Sequence, residues 1–432
     1  MRILILSNSE WDDSNSFGSS FTSIFGGLED VEIANIYCRS GLPNTQTATR
    51  FYQITENTLL QNLRNRNNLS GKVVLNRTDK EQAKPDVFSK RQLKFVNFAR
   101  NTRWVFLFWL KGFIWFFGRW NSDELRKFVD NFEPDLIFLP IYYSVHLNRI
   151  GIFLKNYSNT SMIGYVSDDN YTLKQFSLSP FYWIDRFVKR KWVKKAVEQC
   201  ELLYVISKEQ KKDYDLAFNR NCKILYKGAR FDNIDYVQKN YDFPYKLIYT
   251  GNIGDNRHES LALIGKALDE LNNELGDIAN LLIYSASPLN KRMRSDLSRH
   301  KSIALIGKVS KHEVDIIQKT ADVLIHVEPL DIKGKFQSRH SFSTKLVDYF
   351  TRSSCIFVVG WKKSASIAYL MEHNAALSAE NYSEIVIKLR DLFLNPGMFN
   401  YYSKNAYLLG RKNHNIEFIQ NELLKDLQTF SK

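Results

Sequence analysis

From about residue 245 onward, short aliphatic runs alternate with amphipathic stretches of helical period, and this alternation constrains the fold more than any other feature of the chain. The runs are KLIYT, NLLIYS, SIALIG, DVLIHV and CIFVVG; between and after them come ESLALIGKALDELNNEL, NKRMRSDLSRH, SKHEVDIIQKT, STKLVDYFTR and SASIAYLMEHN. Strands separated each time by a helix form a parallel sheet with helices on its faces. A less regular version occupies the front of the chain, with RILILS, VEIANIY, DLIFLPI, MIGYVS and LLYVIS as strands. The expected fold class is therefore α/β, two Rossmann-like doubly wound domains in series.

The length fits that reading: 432 residues exceed one ordinary core, at roughly 100–200 residues per domain. The boundary falls in the polar, aperiodic stretch 228–245, which contains Gly228 and Pro244. This gives a first domain over 1–240, a second over 241–410, and a C-terminal helix in 411–432 whose apolar stripe packs back toward the first. Residues 40–90 lack periodicity and read as a surface excursion. With 44% hydrophobic and 25% charged residues, a disordered chain is excluded.

Four cysteines, Cys38, Cys200, Cys222 and Cys355, lie far apart without a C-x-x-C pair, so they read as core thiols rather than as a zinc site or disulfide framework. The apolar start of MRILILSNSE is too short for a signal peptide, and the expected location is the cytoplasm.

The formal net charge is +14, which suits nucleic acid, an anionic membrane surface or phosphate-bearing substrates. Residues 91–120, RQLKFVNFARNTRWVFLFWLKGFIWFFGRW, are broken by Lys111 and fall short of the roughly 20 apolar residues of a membrane span. Trp104, Trp109, Trp115 and Trp120 with Arg100, Arg103, Lys111 and Arg119 suit the headgroup level of an anionic membrane, or a buried helix with cations at its rim. The basic segment 185–199 has the same character and reads as a solvated helix face or, alternatively, a second lipid site. No nucleic-acid-binding motif appears, and nucleic acid is not an expected partner.

Ligands of open α/β sheets bind beyond the carboxyl ends of the strands. After the first strand, SNSEWDDSNSFGSSF places Gly18 among serines at a helix start, where backbone N–H groups suit a diphosphate. After MIGYV, Asp168 and Asp169 are placed to orient a hydroxyl or act as base, or to cap the next helix. In the second domain, YTGNIGDNRHES puts Arg257 at a strand end as a phosphate clamp. Ser343, Thr344 and Lys345 gather hydroxyls and an ammonium at a helix start, and Asp348 lies one turn on, placed to accept from a ribose diol. Phosphate and ribose a turn apart describe a nucleoside diphosphate.

Residues 245–420 resemble the second domain of the GT-B glycosyltransferases, most closely the retaining GT4 (group 1) family. GKVSKHEVDIIQKTADVLIHVEPL is similar to the segment leading to that family's donor site, and STKLVDYF to its P-S-K-L-x-E-Y variant. The resemblance implies a GT-B pair of domains facing across a cleft, with a nucleotide-diphosphate sugar as donor substrate and no separate cofactor or metal. By the same resemblance Lys345 contacts the donor diphosphate, Asp348 the ribose, Arg257 the phosphates, the Gly18 loop closes on the donor, and Asp168 or Asp169 faces the acceptor. Where the family's E-x7-E pair has its first acid, eight residues before Asp348, this chain has His340, and Ser343 replaces the proline. The implied activity is transfer to a lipid-linked or polysaccharide acceptor in surface polysaccharide synthesis, at the inner face of a membrane. A nucleotide-sugar epimerase and a non-catalytic GT-B-shaped scaffold are the alternatives.

Overall fold

The computed structural model of the chain describes residues 1–77, 105–232 and 234–431. Fourteen strands among them form two sheets. The first contains β1 (Arg2–Ser7), β2 (Glu32–Tyr37), β3 (Arg50–Ile54), β4 (Gly71–Val74), β5 (Leu136–Pro140), β6 (Ser161–Val166), β7 (Leu202–Val205) and β8 (Lys223–Ile224), in the order β4-β3-β2-β1-β5-β6-β7-β8. Only the β3–β4 pair is antiparallel. The second contains β9 (Tyr245–Thr250), β10 (Ala279–Tyr284), β11 (Ile303–Gly307), β12 (Val323–Val327), β13 (Cys355–Val359) and β14 (Leu377–Ala379), all parallel, in the order β11-β10-β9-β12-β13-β14.

Parallel strands covered on both faces have no polar side, which is why the strand segments read as unbroken apolar runs. In β1, Leu4 and Leu6 face one buried cluster while Ile3 and Ile5 face another. In β9, Leu247 and Tyr249 point to one side of the second sheet and Ile248 to the other. All four cysteines are buried free thiols.

Residues 40–77 depart from the expected surface excursion, because β3 and β4 extend the first sheet there with the helix Glu56–Arg64 between them; 78–90 lie outside the described residues. Strands of five and four residues are too short to show a period. In addition, Gln53 interrupts β3 with a buried amide that donates to the carbonyls of Arg39 and Gly41, both at 3.0 Å.

The aromatic belt divides. Trp115 and Trp120 are buried, and Lys111 pairs with Glu56 at 2.6 Å, whereas Phe113, Phe116 and Phe117 on the helix Val105–Phe117 are exposed. Arg100, Arg103, Trp104 and the side chain of Trp109 lie outside the described residues. Among the described residues no helix is long and apolar enough to cross a membrane.

The chain crosses between the sheets twice. After the first crossing, 225–244, it builds the second sheet and returns through helix Gly397–Asn413 to helix Ile416–Phe430. Ile419, Leu423 and Leu427 of that last helix enter the apolar cluster of Phe21 and Phe25, on the helix Ser16–Phe25 beside β1. The two crossings touch: Ala229 donates its N–H to the His414 carbonyl at 2.8 Å and accepts from Ile416 N–H at 2.9 Å.

Candidate functional site

In the second sheet the strand order reverses between β9 and β12, and a crevice at such a switch point is where ligands of open sheets bind. Its floor is the turn after β9. Gly251 there has φ +148, a conformation that favours glycine, and a Cβ on it would stand 2.4 Å from the Lys345 ammonium. The missing side chain lets Lys345 Nζ lie against the turn, donating to the Thr250 carbonyl at 3.0 Å and sitting 4.7 Å from the Tyr249 ring centre. Arg257 opens the helix Arg257–Leu275 just beyond the turn. Burial pushes the Lys345 ammonium down to about 8, and the Arg257 charge adds to this against the pull of Asp348. The sequence thus brings an ammonium and a guanidinium to one strand end at a cost in electrostatic energy, which an anion would relieve.

Lys345 lies on a helix of only six residues, Thr344–Tyr349, so the helix dipole adds little and the positive field comes from the side chains. Ser343 takes the N-cap position without a capping side-chain bond. Asp348, one turn on from Lys345, accepts from Lys227 Nζ at 2.9 Å. Lys227 comes from the first crossing between the sheets, so this contact spans the two halves of the molecule. Thr344 and Asp348 face Ser14, Ser16 and Ser19 of the first domain across a cleft of about 220 Å³, flanked by Lys227 and Lys311.

Gly18 is buried within helix Ser16–Phe25, donating its N–H to the Asn15 side chain at 2.7 Å. A Cβ there would meet the Asp12 carbonyl oxygen at 2.0 Å. Its role is close packing: the absent Cβ seats the loop against the helix start, and the neighbouring Ser16 and Ser19 present themselves to the cleft.

The two adjacent aspartates part company. Asp168 is exposed at its surface yet ringed by both domains, which raises its carboxyl above the usual range, and Ser341 of the second domain donates to it at 3.4 Å. Asp169 turns inward. It accepts from Thr172 N–H at 2.8 Å, from Gln175 at 3.0 Å and from Arg186 at 3.3 Å. Burial works to raise its carboxyl, and the Thr172 hydrogen bond with the nearby His340 and Arg186 brings it below the usual range. Asp169 caps no helix, since the next one, Pro180–Glu198, begins after Ser179; its carboxylate closes the turn to Thr172, while Asp168 stays at the surface beside Ser341.

His340 also turns inward. It is fully buried, with Nε2 at 2.9 Å from Asp213 and Nδ1 at 3.8 Å from Asp169, both in the first domain. Burial pushes it down to about 4 in spite of Asp169. Arg339 also pairs with Asp213. The position eight residues before Asp348 therefore fastens the two domains together instead of opening onto the cleft.

Four residues escaped the sequence reading. Lys227 and Lys311 had no strand end or motif to mark them. His326 and Glu328 had a signal, since two polar residues interrupt the apolar run DVLIHVEPL at the end of β12. Both are buried, with His326 Nε2 3.4 Å from Glu328 Oε1, while Glu328 Oε2 and His326 Nδ1 have no hydrogen-bond partner among the described residues. Burial lowers the His326 pKa, and Lys345 and Arg257 lower it further against Glu328, placing this pair near the two cations.

No protein-family model and no curated protein sequence matches the chain. Solved structures match its fold. Anabaena HepE in complex with UDP has a TM-score of 0.63 at 10% identity, covering 99% of this chain and 100% of its own. Sucrose-phosphate synthase from Thermosynechococcus elongatus has a TM-score of 0.63 at 9% identity, covering 99% of each chain. WaaG, a glycosyltransferase involved in lipopolysaccharide biosynthesis, has a TM-score of 0.56 at 9% identity, covering 98% of each. At such identities the likeness carries architecture alone, and the architecture of this chain is the two-domain GT-B fold.

Proposed function

We propose that the protein is a glycosyltransferase that moves a sugar from a nucleotide-diphosphate donor to a lipid-linked or polysaccharide acceptor. The observation that carries this reading is Lys345, its ammonium seated on the turn after β9 at 3.0 Å from the Thr250 carbonyl, with Arg257 opening the helix just beyond that turn. Asp348, one turn on, faces the cleft and suits the ribose diol. The reading is supported by the GT-B neighbours, among them HepE solved with UDP and with UDP-glucose.

In this reaction the leaving diphosphate develops negative charge as the sugar bond breaks. Lys345 and Arg257, already in place, stabilise that charge without reorganising and without a metal. Asp168, at the boundary between the domains beside Ser341 and with a raised carboxyl, holds the acceptor hydroxyl. Glu328, with an oxygen that has no partner among the described residues, reads the donor sugar in place of the acid that His340 replaces. Retention of anomeric configuration rests on the GT4-like STKLVDYF motif, and a site of action at the inner face of an anionic membrane on the aromatic and basic composition.

The test is a thermal-shift panel of UDP, GDP, ADP, CMP and their sugars against the wild type and Asp348→Ala. A ligand bound only by the native state raises stability as RT ln(1 + [L]/Kd). Selective stabilisation by one nucleotide, lost in the variant, is the expected outcome. No stabilisation by any nucleotide would overturn the donor-site assignment.

A further inference from the structure

The helix Pro180–Glu198 is arranged inside out. Helical spacing gathers Ile184, Phe187, Val188, Lys191, Lys194 and Lys195 on one side, and all six are exposed. The three apolar ones are 52%, 54% and 50% exposed, while the inward side buries a charged Arg186. The arginine is held there by the carbonyls of Asp169 at 2.9 Å and Thr172 at 3.1 Å. The loop leading into the helix repeats the arrangement, with Leu178 88% exposed and Leu173 and Phe176 also exposed. Single exposed hydrophobes are ordinary, but seven on one loop and helix, Phe181 among them, mark a contact surface.

The charge on that face selects the occupant. Toward its C-terminal half it becomes cationic through Lys191, Lys194 and Lys195, against which the same face sets one acid, Glu198, 3.6 Å from Lys194. A two-fold contact with a second copy would set these lysines against their equals, an arrangement that like charges oppose. A bilayer rich in anionic lipid matches both halves, with acyl chains for the apolar part and phosphates for the lysines. The surface also continues beyond the helix. The Arg149 guanidinium lies 5.3 Å from the ring centre of the exposed Phe116, 5.7 Å from that of Trp120 and 5.8 Å from that of Trp192, joining helix Val105–Phe117 to helix Pro180–Glu198.

We propose that the loop 173–178 and the outward face of helix Pro180–Glu198 dock the protein on an anionic bilayer. Ile184 and Phe187 enter the boundary between headgroups and acyl chains, and Lys191, Lys194 and Lys195 meet the phosphates. The exposed face expected over 185–199 is present, and the proposal gives it a partner. The proposal rests on the membrane-side glycosyltransferase reading and gives it a location. The loop begins five residues after Asp168, so docking there brings the acceptor side of the cleft to the lipid surface.

The test is sedimentation of the full chain with vesicles of phosphatidylcholine alone or mixed with phosphatidylglycerol, at low and high salt. Two variants accompany it, Ile184→Ser with Phe187→Ser, and Lys191→Gln with Lys194→Gln and Lys195→Gln. All the positions are exposed, and unchanged melting curves would verify folding. The wild type is expected to bind the mixed vesicles, and the serine pair to lose roughly tenfold or more of that binding. The glutamine triple is expected to lose the preference for anionic vesicles and its salt dependence. Equal binding by wild type and variants, or no binding by the wild type, would overturn the proposal. So would sedimentation velocity without vesicles showing a dimer that the serine pair dissolves. Nucleotide stabilisation, read on the same samples, separates the two readings: lost docking with retained stabilisation sinks the surface alone, and absent stabilisation sinks the donor site.

Discussion

Lys345 concentrates the chemistry of the site in one side chain. Held at about 8, its ammonium is the form that attracts a diphosphate, so nucleotide affinity should fall as pH rises through 8, by up to about tenfold per pH unit well above it. Isothermal titration of the stabilising nucleotide from pH 7 to 9.5 checks this. The linkage in the free protein has the opposite sign. The unfolded lysine titrates near 10.5, so between 8 and 10.5 the unfolded chain binds more protons and this group adds stability as pH rises. Lys345→Ala should accordingly abolish turnover while leaving the fold intact, and turnover undiminished in that variant would remove the lysine from the mechanism. Glu328→Gln separates sugar from nucleotide: stabilisation by the nucleoside diphosphate should persist while the increment from its sugar disappears, and an increment equal to wild type would reject Glu328 as the reader. At this scale the sequence was readable where a polar residue followed a strand, as with Arg257 and Asp168, or opened a helix, as with Lys345. It was silent on side-chain direction, and so did not tell Asp168, facing water, from Asp169, bonded inward.

Elements were legible in proportion to their length and burial. Strands covered on both faces announce themselves as apolar runs, and Ile416–Phe430 showed its stripe plainly. The short edge strands β3 and β4 had too few residues for a period, and the outward face of Pro180–Glu198 ran against the rule that apolar side chains go inside. Two substitutions test how the elements hold the site. Leu423→Ala removes a fully packed side chain from the cluster shared with Phe21 and Phe25 and should cost about 2–5 kcal/mol in chemical denaturation. Gly18→Ala forces a Cβ onto the Asp12 carbonyl and should cost about 1–3 kcal/mol while weakening nucleotide binding through displacement of Ser16 and Ser19. A Gly18→Ala protein as stable and as tight as wild type would show that the loop is free to move aside.

The molecule as a whole joins its two sheets through apolar as well as charged contacts. Ile206 and Phe231, from the first half and the crossing, share a buried cluster with Phe342, Leu346 and Tyr407 of the second. His340 and Arg339 add a polar fastening at Asp213, and Lys208 pairs with Glu372 at 2.7 Å on the surface. A shared core of this kind predicts one cooperative unfolding transition, with calorimetric and van't Hoff enthalpies equal. Two resolved transitions would show that the sheets are independent. Cutting the chain before Ile416 should lower the stability of the first sheet, since it uncovers Phe21 and Phe25. The paired crossings at Ala229 and Asn415 also dictate how the halves can move. A single strand would let one domain swivel freely about the other, as a ball turns in a socket. Two strands bonded side by side act as a pair of pins on one pivot, leaving rotation about their common line as the easy motion. The cleft would then widen and narrow along one arc, and the spacing between Asp168 and Lys345 would be set by a single angle.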